Sequence, residues 1–379
     1  MNAQDILREL ETIARRPAAT IESWRAAHPG AKVAGCVHCL PPFVPEELLD
    51  AAGVLSVGIW GSERPIARAE ALMQPFACSM ARTALELGME GLLSGLDGVI
   101  FSTPCDTIRN LAEIWKYQFP ATFVRSVVFP VHTDQATALP FLAGELARFR
   151  EALGAWTGKP VTDAAIAASL AKFEATRRAL DAVAAFRMEH PERLRAREMA
   201  LPVQAASVMD RGEFAAKARA LVAALPAREP VLTGRRRVLL SGTLPLPLAV
   251  VDTIEACGGL IVADDVGLGA KYFERTLDGG ADPMERLARS QFTHTPVCTI
   301  FHGTTTRAAH LLARARASGA QAVVINGTKF CEPEFFDYPD LKKDLDAAGM
   351  PSLLVETELS TGGAGALATR IGAFLESLE

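Results

Sequence analysis

Two series of strand-like segments, each segment followed by a stretch of helical periodicity, constrain the fold of this chain most. The clearest of these segments are GVIFS (98–102), TFVRSVVFP (122–130), VLLSG (238–242), LIVAD (260–264), AVVIN (322–326) and PSLLVE (351–356). Alternation of strands and helices favours parallel sheets covered by helices on both faces. We therefore predict an α/β fold with two doubly wound, Rossmann-like parallel-sheet lobes joined by a helical segment.

The same pattern predicts four regions along the chain. Residues 1–30 should form an N-terminal helical arm and residues 31–158 the first lobe. Residues 159–230 are rich in Ala, Arg and Glu without strand patterns, so we expect a helical insert, followed by the second lobe at 231–379. A chain of 379 residues with 49% hydrophobic content can bury two cores. Ligands should bind in the cleft at the carboxyl ends of the strands.

Charge and hydropathy exclude several classes of partner. The net charge of −5 disfavours nucleic acid. The most apolar span, 238–251, is interrupted by Gly242, Pro245 and Pro247, and no apolar leader follows the opening MNAQDILRELETIARRP. We expect a soluble, cytoplasmic protein without membrane association. The GLGA at 267–270 lacks the strand–turn–helix context of a dinucleotide site, and no Walker-type phosphate loop occurs.

Three of the seven cysteines lie at the ends of predicted elements. Cys78 precedes a helical run, Cys105 lies between the strand GVIFS and a helix that Asp106 could cap, and Cys331 lies in a loop after AVVIN. We expect the helix after Cys331 to begin near Pro339. A helix N-terminus favours the thiolate, so these positions predict low thiol pKa values.

The alternative for any single cysteine is a small buried hydrophobic side chain. Cys257, inside a predicted helix, fits that alternative, whereas the odd number and scattered spacing of the cysteines argue against a disulfide framework. Because Cys78, Cys105 and Cys331 all lie at element ends with proline or polar neighbours, together they favour a metal site. Thiolates select iron–sulfur clusters or zinc, and the spacing does not choose between them.

A second group lies in the loop CVHC at 36–39. Without a matching cysteine pair, a structural zinc knuckle there is disfavoured. Cys36, His38 and Cys39 instead remain candidates for an additional metal ligand or a proton donor, because the loop leaves the first strand on the cleft side. Cys298, in TPVCTIFHG, is a weaker candidate.

Three long segments resemble a known family. PFACSMARTALELGMEG, DGVIFSTPCDTIRNLAEIWK and NGTKFCEPEFFDYPDLKKDLDAAGMPSLLVE are similar to subunits of 2-hydroxyacyl-CoA dehydratases and ATP-dependent benzoyl-CoA reductases. This resemblance implies an oxygen-sensitive four-iron four-sulfur cluster held by Cys78, Cys105 and Cys331. The CVHC loop departs from the pattern of the dehydratases and makes a larger or additional cluster a further candidate. It also implies a paralogous larger iron–sulfur subunit, an ATP-hydrolysing iron–sulfur activator and an acyl-CoA substrate.

Short segments of the sequence point to different branches of this family. RTALELGMEG and RNLAEIWKYQFP look like the smaller subunit of benzoyl-CoA reductase, whereas PFACS and PCDT look like the smaller dehydratase subunit. We expect the reductase, with the dehydratase as the first alternative. A non-catalytic iron–sulfur or zinc scaffold subunit is the second alternative.

Overall fold

The computed structural model describes residues 1–378 except 39–42, 235, 244–246, 278–279, 281, 295, 299, 303 and 360–363. It confirms the predicted α/β fold, because the strands form two four-stranded sheets in which every described pairing is parallel. The strands are β1 Val33–Val37, β2 Leu55–Ile59, β3 Gly98–Ser102, β4 Phe123–Val127, β5 Arg236–Gly242, β6 Gly259–Val266, β7 Ala322–Thr328 and β8 Ser352–Thr357. The sheet orders are β2-β1-β3-β4 and β6-β5-β7-β8.

Helices cover both sheets and fill the region between them. They are α1 Ala3–Arg15, α2 Pro17–Ala27, α3 Glu46–Ala51, α4 Ser79–Met89, α5 Asp106–Gln118, α6 Ala138–Thr157, α7 Asp163–Glu189, α8 Ala196–Val208, α9 Arg211–Ala224, α10 Leu248–Ala256, α11 Ala270–Phe273, α12 Pro283–Ser290, α13 Thr304–Ser318, α14 Glu332–Ala347 and α15 Ala364–Glu376. None of the described helices is long and apolar enough to cross a membrane. The six described cysteines form no disulfide.

The two sheets have the same strand order, and each order reverses between its first and third strands. In the first sheet this point lies between β1 and β3, and in the second between β5 and β7. Open α/β sheets bind ligands in the crevice outside the carboxyl ends of the strands at such a reversal. The loops after β3 and β7 are therefore the places where a site is expected.

Proline explains why the N-terminal arm is two helices instead of one. Pro17 occupies the first position of α2, where its missing N–H costs nothing, whereas continuing α1 through it would lose a hydrogen bond. Arg16 between the helices has non-helical backbone angles. The arm packs through Ile6, Leu7 and Leu10 into an apolar cluster shared with the insert.

The helix after Cys331 begins earlier than the sequence predicted. It runs from Glu332 with Pro333 in its first turn, and Pro339, where we expected the start, lies inside it. Proline at the first turn of a helix is favourable, and here Pro333 marked the true start. The consequence is that Cys331 itself is the N-cap residue of α14.

Buried ion pairs attach the helical insert to both lobes. Arg177 of α7 binds Glu47 of α3 at 2.9 Å, and Arg187 of α7 pairs with Asp264 of β6. All four side chains are at least nine-tenths buried. Because breaking a buried pair leaves an uncompensated charge, these contacts fix the insert against the sheets.

Candidate functional site

Cys105 and Cys331 lie at equivalent places in the two lobes. Each is the third residue after the third strand of its sheet, since β3 ends at Ser102 and β7 ends at Thr328. Each is also the N-cap of the helix that follows. The predicted placement at helix N-termini is thus confirmed, but Asp106 is not a cap: it is the first helical residue, and its carboxylate pairs with Arg109 at 3.2 Å.

Cys78 is the N-cap of α4 and lies where the first lobe meets the second. Arg82, one turn into α4, donates to the carbonyl of Ala77 at 2.8 Å and to Glu358, just after β8, at 2.6 Å. The backbone N–H of Leu359 donates to Ser79 Oγ at 2.9 Å. These contacts hold the start of α4 against the end of β8, next to the β7–α14 connection.

The three thiols influence one another electrostatically. Burial raises the pKa of Cys78 to about 11, and Cys105 adds to the increase although backbone N–H donors oppose it. Burial also raises the pKa of Cys331 well above its usual value, with further increases from Glu334 and Cys78. Cys105 and Cys331 also pack against the apolar cluster that contains Cys78, so the three thiols border the same core.

The prediction of low thiol pKa values is therefore wrong for Cys78 and Cys331. The helix N-termini do lower the pKa, but removal from water outweighs them. A bound metal would reverse this balance, because a coordinating thiol is deprotonated outright.

The spacing of these sulfurs argues against one ion bound by all three. Among the described residues, only Cys36, His38 and Glu46 have ligand atoms that all lie within 4.8 Å of one another. The sulfurs of Cys78, Cys105 and Cys331 are therefore not all that close together, and a cluster in which each thiolate takes its own iron does not need them to be. Three soft sulfur donors suit such a cluster chemically.

Phe330, directly before Cys331, has a left-handed backbone conformation with φ of 66°. Among the described residues it is the only non-glycine with positive φ. Such conformations are held by their surroundings and concentrate at functional sites. The Lys329 ammonium lies 5.1 Å from the centre of the Phe330 ring and 4.0 Å from the Glu358 carboxylate. Since Glu358 also pairs with Arg82, this turn is connected to the start of α4.

The second predicted group is completed by a residue that the sequence did not suggest. Cys36 is the next-to-last residue of β1, His38 directly follows the strand, and Glu46 of α3 joins them; all three are buried. Cys39 lies outside the described residues. The group is a candidate for a single metal ion, because cysteine, histidine and carboxylate are all zinc ligands.

His38 is unusual within this group. Its ring stacks on Trp60 at 4.5 Å and is 1% exposed, yet neither ring nitrogen has a hydrogen-bond partner among the described residues. Its nearest carboxylate oxygen, on Glu46, is 3.7 Å away, longer than a hydrogen bond. A cavity of about 20 Å³, lined in part by His38, Glu46 and Arg211, is large enough for one water.

The charges around Glu46 are already balanced without a metal. Although burial alone would raise its pKa, Arg211 and His38 hold the pKa of Glu46 well below its usual value. Tyr272 donates to the same carboxylate at 3.0 Å. Burial raises the pKa of Cys36 well above its usual value, so that thiol stays neutral. The negative charge of this group is therefore compensated without a bound cation, although its residue types are those of a metal site.

Comparison with known proteins gives the family. A family model described as 2-hydroxyglutaryl-CoA dehydratase, D-component, matches residues 41–378, which is most of the chain. The chain belongs to this family. The resemblance noted in the sequence is thus confirmed.

Three relatives show how the named activities vary among proteins similar to this chain. The (R)-phenyllactyl-CoA dehydratase beta subunit of Clostridium sporogenes is 27% identical, over 90% of this chain and 91% of its own length. The lactoyl-CoA dehydratase subunit beta of Anaerotignum propionicum is 28% identical, over 98% of each chain. A benzoyl-CoA reductase subunit of Thauera aromatica is 26% identical, over 94% of this chain and 93% of its own length. Identities of 26–28% do not distinguish the two kinds of enzyme.

Two features of the site were not predicted from the sequence. Glu46 is one of several acidic residues in a helix start, and only folding brings it to Cys36 and His38. The Arg82–Glu358 pair joins residues 276 apart in the chain. In the sequence, the indication for this pair was an arginine four residues after a candidate ligand.

Proposed function

We propose that this chain is the iron–sulfur subunit of an ATP-dependent benzoyl-CoA reductase, with a cluster held by Cys78, Cys105 and Cys331. The observation that carries this proposal is that three cysteines from both lobes are helix N-caps and lie in or against one apolar cluster. When bound, an iron–sulfur cluster stores and passes single electrons at low potential. Membership of the D-component family supports an acyl-CoA thioester as the final acceptor.

The chain's own residues would hold and shield this site. The first-turn N–H groups of α4 and α14 would donate to the sulfurs, as they already do to Cys78 and Cys331. Arg82 places a buried positive charge near Cys78, where it lowers the pKa of that thiol. Apolar packing around Cys78 and Cys331 excludes water, which strengthens every electrostatic interaction at the site.

Partners are part of the proposal. Each of the three relatives is named as one subunit of its enzyme, not as the whole enzyme. We propose that this chain pairs with a paralogous larger iron–sulfur subunit and receives electrons from an ATP-hydrolysing iron–sulfur activator. ATP hydrolysis must come from outside the chain, since its sequence has no Walker-type loop.

The second candidate function is 2-hydroxyacyl-CoA dehydration, favoured by the family description and by two of the relatives above. We expect the anaerobic complex, given ATP and reductant, to reduce benzoyl-CoA with consumption of stoichiometric reductant. Reductant oxidation and product would be followed together for benzoyl-CoA and for (R)-2-hydroxyacyl-CoA substrates. Redox-neutral loss of water from a 2-hydroxyacyl-CoA, without ring reduction, would assign the chain to the dehydratases.

We also propose a supporting role for Cys36, His38 and Cys39, as an additional metal ligand set or as the proton donor to reduced substrate. The prediction concerns His38→Phe, which keeps the ring stacked on Trp60 but removes both nitrogens. Turnover of the complex should fall by about 10²-fold or more if His38 transfers a proton. Iron content should stay constant in that case, and should fall if His38 is a ligand.

Trp60→Phe is the matched control for packing, because it changes the same stack without touching the imidazole. Turnover, metal content and melting temperature would be compared for both variants. Unchanged turnover and unchanged metal in His38→Phe would remove His38 from the mechanism.

A further inference from the structure

Three cavities lie in a row between the surface and the buried group of Cys36, His38 and Glu46. The outermost is a groove of about 380 Å³ between the N-terminal arm and α9. It shares part of its wall with a second cavity of about 150 Å³, through Trp24, His28, Met209 and Asp210. The second cavity shares Phe173 and Arg211 with the chamber, the cavity of about 20 Å³ that His38 and Glu46 line. Shared wall residues therefore connect the surface to the buried group.

The row follows the outer edge of the first sheet. Ser56, the second residue of the edge strand β2, lines the second cavity. His38, which lines the chamber, donates its backbone N–H to the carbonyl of Ile59, the last residue of β2, at 3.1 Å. The row therefore begins near the amino end of β2 and ends at its carboxyl end. Since the cleft lies at the carboxyl ends of the strands, the mouth of the row opens on the opposite side of the sheet.

Arg211 forms the polar part of the partition between the second cavity and the chamber. Its Nη2 donates to Ser56 Oγ at 3.0 Å and also binds the Glu46 carboxylate, so it touches a wall residue on each side. The Arg211 side chain is 3% exposed, and its Nε has no hydrogen-bond partner among the described residues. Buried polar groups of this kind are usually satisfied by ordered water. Water is therefore expected beside Arg211.

Phe173 forms the apolar part of the same partition. Its ring centre lies 5.2 Å from the guanidinium carbon of Arg211, and the residue is 5% exposed. A phenyl ring takes no part in the bonds of Arg211 to Ser56 and Glu46. A substitution at Phe173 therefore changes the width of the partition and leaves those bonds in place.

Polar side chains line the row. In the second cavity, Lys172 Nζ lies 3.3 Å from Asp210 Oδ2. In the chamber, the Tyr272 hydroxyl donates to Glu46 at 3.0 Å, and His38 Nε2 lies 3.7 Å from the same carboxylate. Dry cavities in proteins are apolar, whereas cavities with several polar partners hold water. The walls of this row are those of wet cavities.

We propose that this row of cavities is a water path that connects solvent behind the first sheet with His38 and Glu46. A chain of hydrogen-bonded water also conducts protons. That use of the path rests on the proposed function, in which His38 gives a proton to reduced substrate. Bulk water would return this proton to His38 through the path, so the chain is unchanged after each turnover. Protons then arrive from the side away from the cleft, and the cleft itself stays closed to bulk water.

The first test measures exchange of the C2 hydrogen of each histidine ring for deuterium in the wild-type complex, by mass spectrometry of its peptides. Exchange at this position requires water at the ring. Two histidines are the references: His28, at the mouth of the row, and His294, which is 7% exposed and is not among the described residues that line the three cavities. His38 should exchange within about tenfold of His28, whereas His294 should be at least about 100-fold slower, because it exchanges only when the protein opens. Exchange at His38 as slow as at His294 would overturn the proposal.

The second test changes the partition at Phe173. The matched control is Phe149→Ala, a truncation at a buried phenylalanine of α6 that is not among the described residues lining the row. Phe173→Ala should speed exchange at His38 about tenfold and Phe173→Trp should slow it about tenfold, whereas Phe149→Ala should match wild type. Equal acceleration by Phe149→Ala and Phe173→Ala would indicate loosening of the whole fold and contradict the path. A wild-type exchange rate at His38 in Phe173→Trp would contradict it as well.

Turnover separates this proposal from the proposed function. Phe173→Trp should slow turnover of the complex together with exchange at His38, and unchanged turnover despite slow exchange would contradict the use of the path for protons. Slow exchange at His38 in an active wild-type complex would overturn the path alone. Fast exchange at His38 in a complex that turns over neither substrate would contradict the proposed function and leave the path in place.

Discussion

The Cys331→Ser variant should bind little iron, and the turnover of the complex that contains it should fall by more than about 100-fold. Serine has nearly the same shape, but its oxygen is a hard donor where the cluster needs a soft thiolate. Loss of groups that only support metal ligands typically costs 10–100-fold, so loss of a direct ligand should cost at least the upper value. Iron, acid-labile sulfide and turnover would be measured on anaerobically prepared protein.

Cys78→Ser and Cys105→Ser should behave in the same way, because each sulfur binds its own iron. Cys257→Ser is the matched control. Among the described residues, the hydrogen-bond acceptor of the Cys257 thiol is the carbonyl of Ala368. It should keep wild-type iron and turnover. Full iron content and an unchanged EPR spectrum in Cys331→Ser would exclude this residue as a ligand.

Arg82→Met should lower the free energy of unfolding by about 3 kcal/mol. The Arg82 and Glu358 side chains are only 8% and 12% exposed, so removal of the arginine leaves a carboxylate with little water. Lys329 at 4.0 Å compensates part of that charge, which places the expected cost at the lower end of the range for buried pairs. Urea unfolding with a structural probe in each lobe would measure the loss.

The double variant Arg82→Met/Glu358→Leu should recover most of this stability, because an apolar pair of similar volume carries no unpaired charge. Arg109→Met is the matched control: its pair with Asp106 is exposed, so its loss should change stability by less than about 1 kcal/mol. We also expect Arg82→Met to load less iron than the double variant. Equal stability of Arg82→Met and wild type would show that the pair does not join the lobes.

The fold was largely predictable from the sequence, because strands buried on both sides are nearly continuous apolar runs. All five residues of β1 and of β3 are buried. Helix α3, Glu46–Ala51, follows Pro45 and is closed by Gly53, a sequence pattern that predicts a helix. The start of α14 was not predictable in this way. Pro333 and Pro339 both fit the first turn of a helix in the sequence, and only Pro333 lies there in the structure.

The candidate site was predictable in part. Cys78, Cys105 and Cys331 stood out because element ends and prolines mark them in the sequence. Glu46 did not, since only folding brings its carboxylate next to Cys36 and His38. The pKa of Cys78 was predicted in the wrong direction because burial is a property of the packed protein, not of a helix N-terminus.

The domain boundaries at 30, 158 and 230 remain predictions. Limited proteolysis would probe them, because exposed loop tips between packed units are cleaved first. The α6–α7 connection is one such place: Gly158 there has a φ of 73°, and α6 ends at Thr157.

The most direct test of the central claim is anomalous X-ray diffraction at the iron absorption edge, from crystals grown without oxygen. The map should show strong density within bonding distance of the sulfurs of Cys78, Cys105 and Cys331. Iron density only beside Cys36, His38 and Glu46, or a signal at the zinc edge in place of iron, would contradict the account.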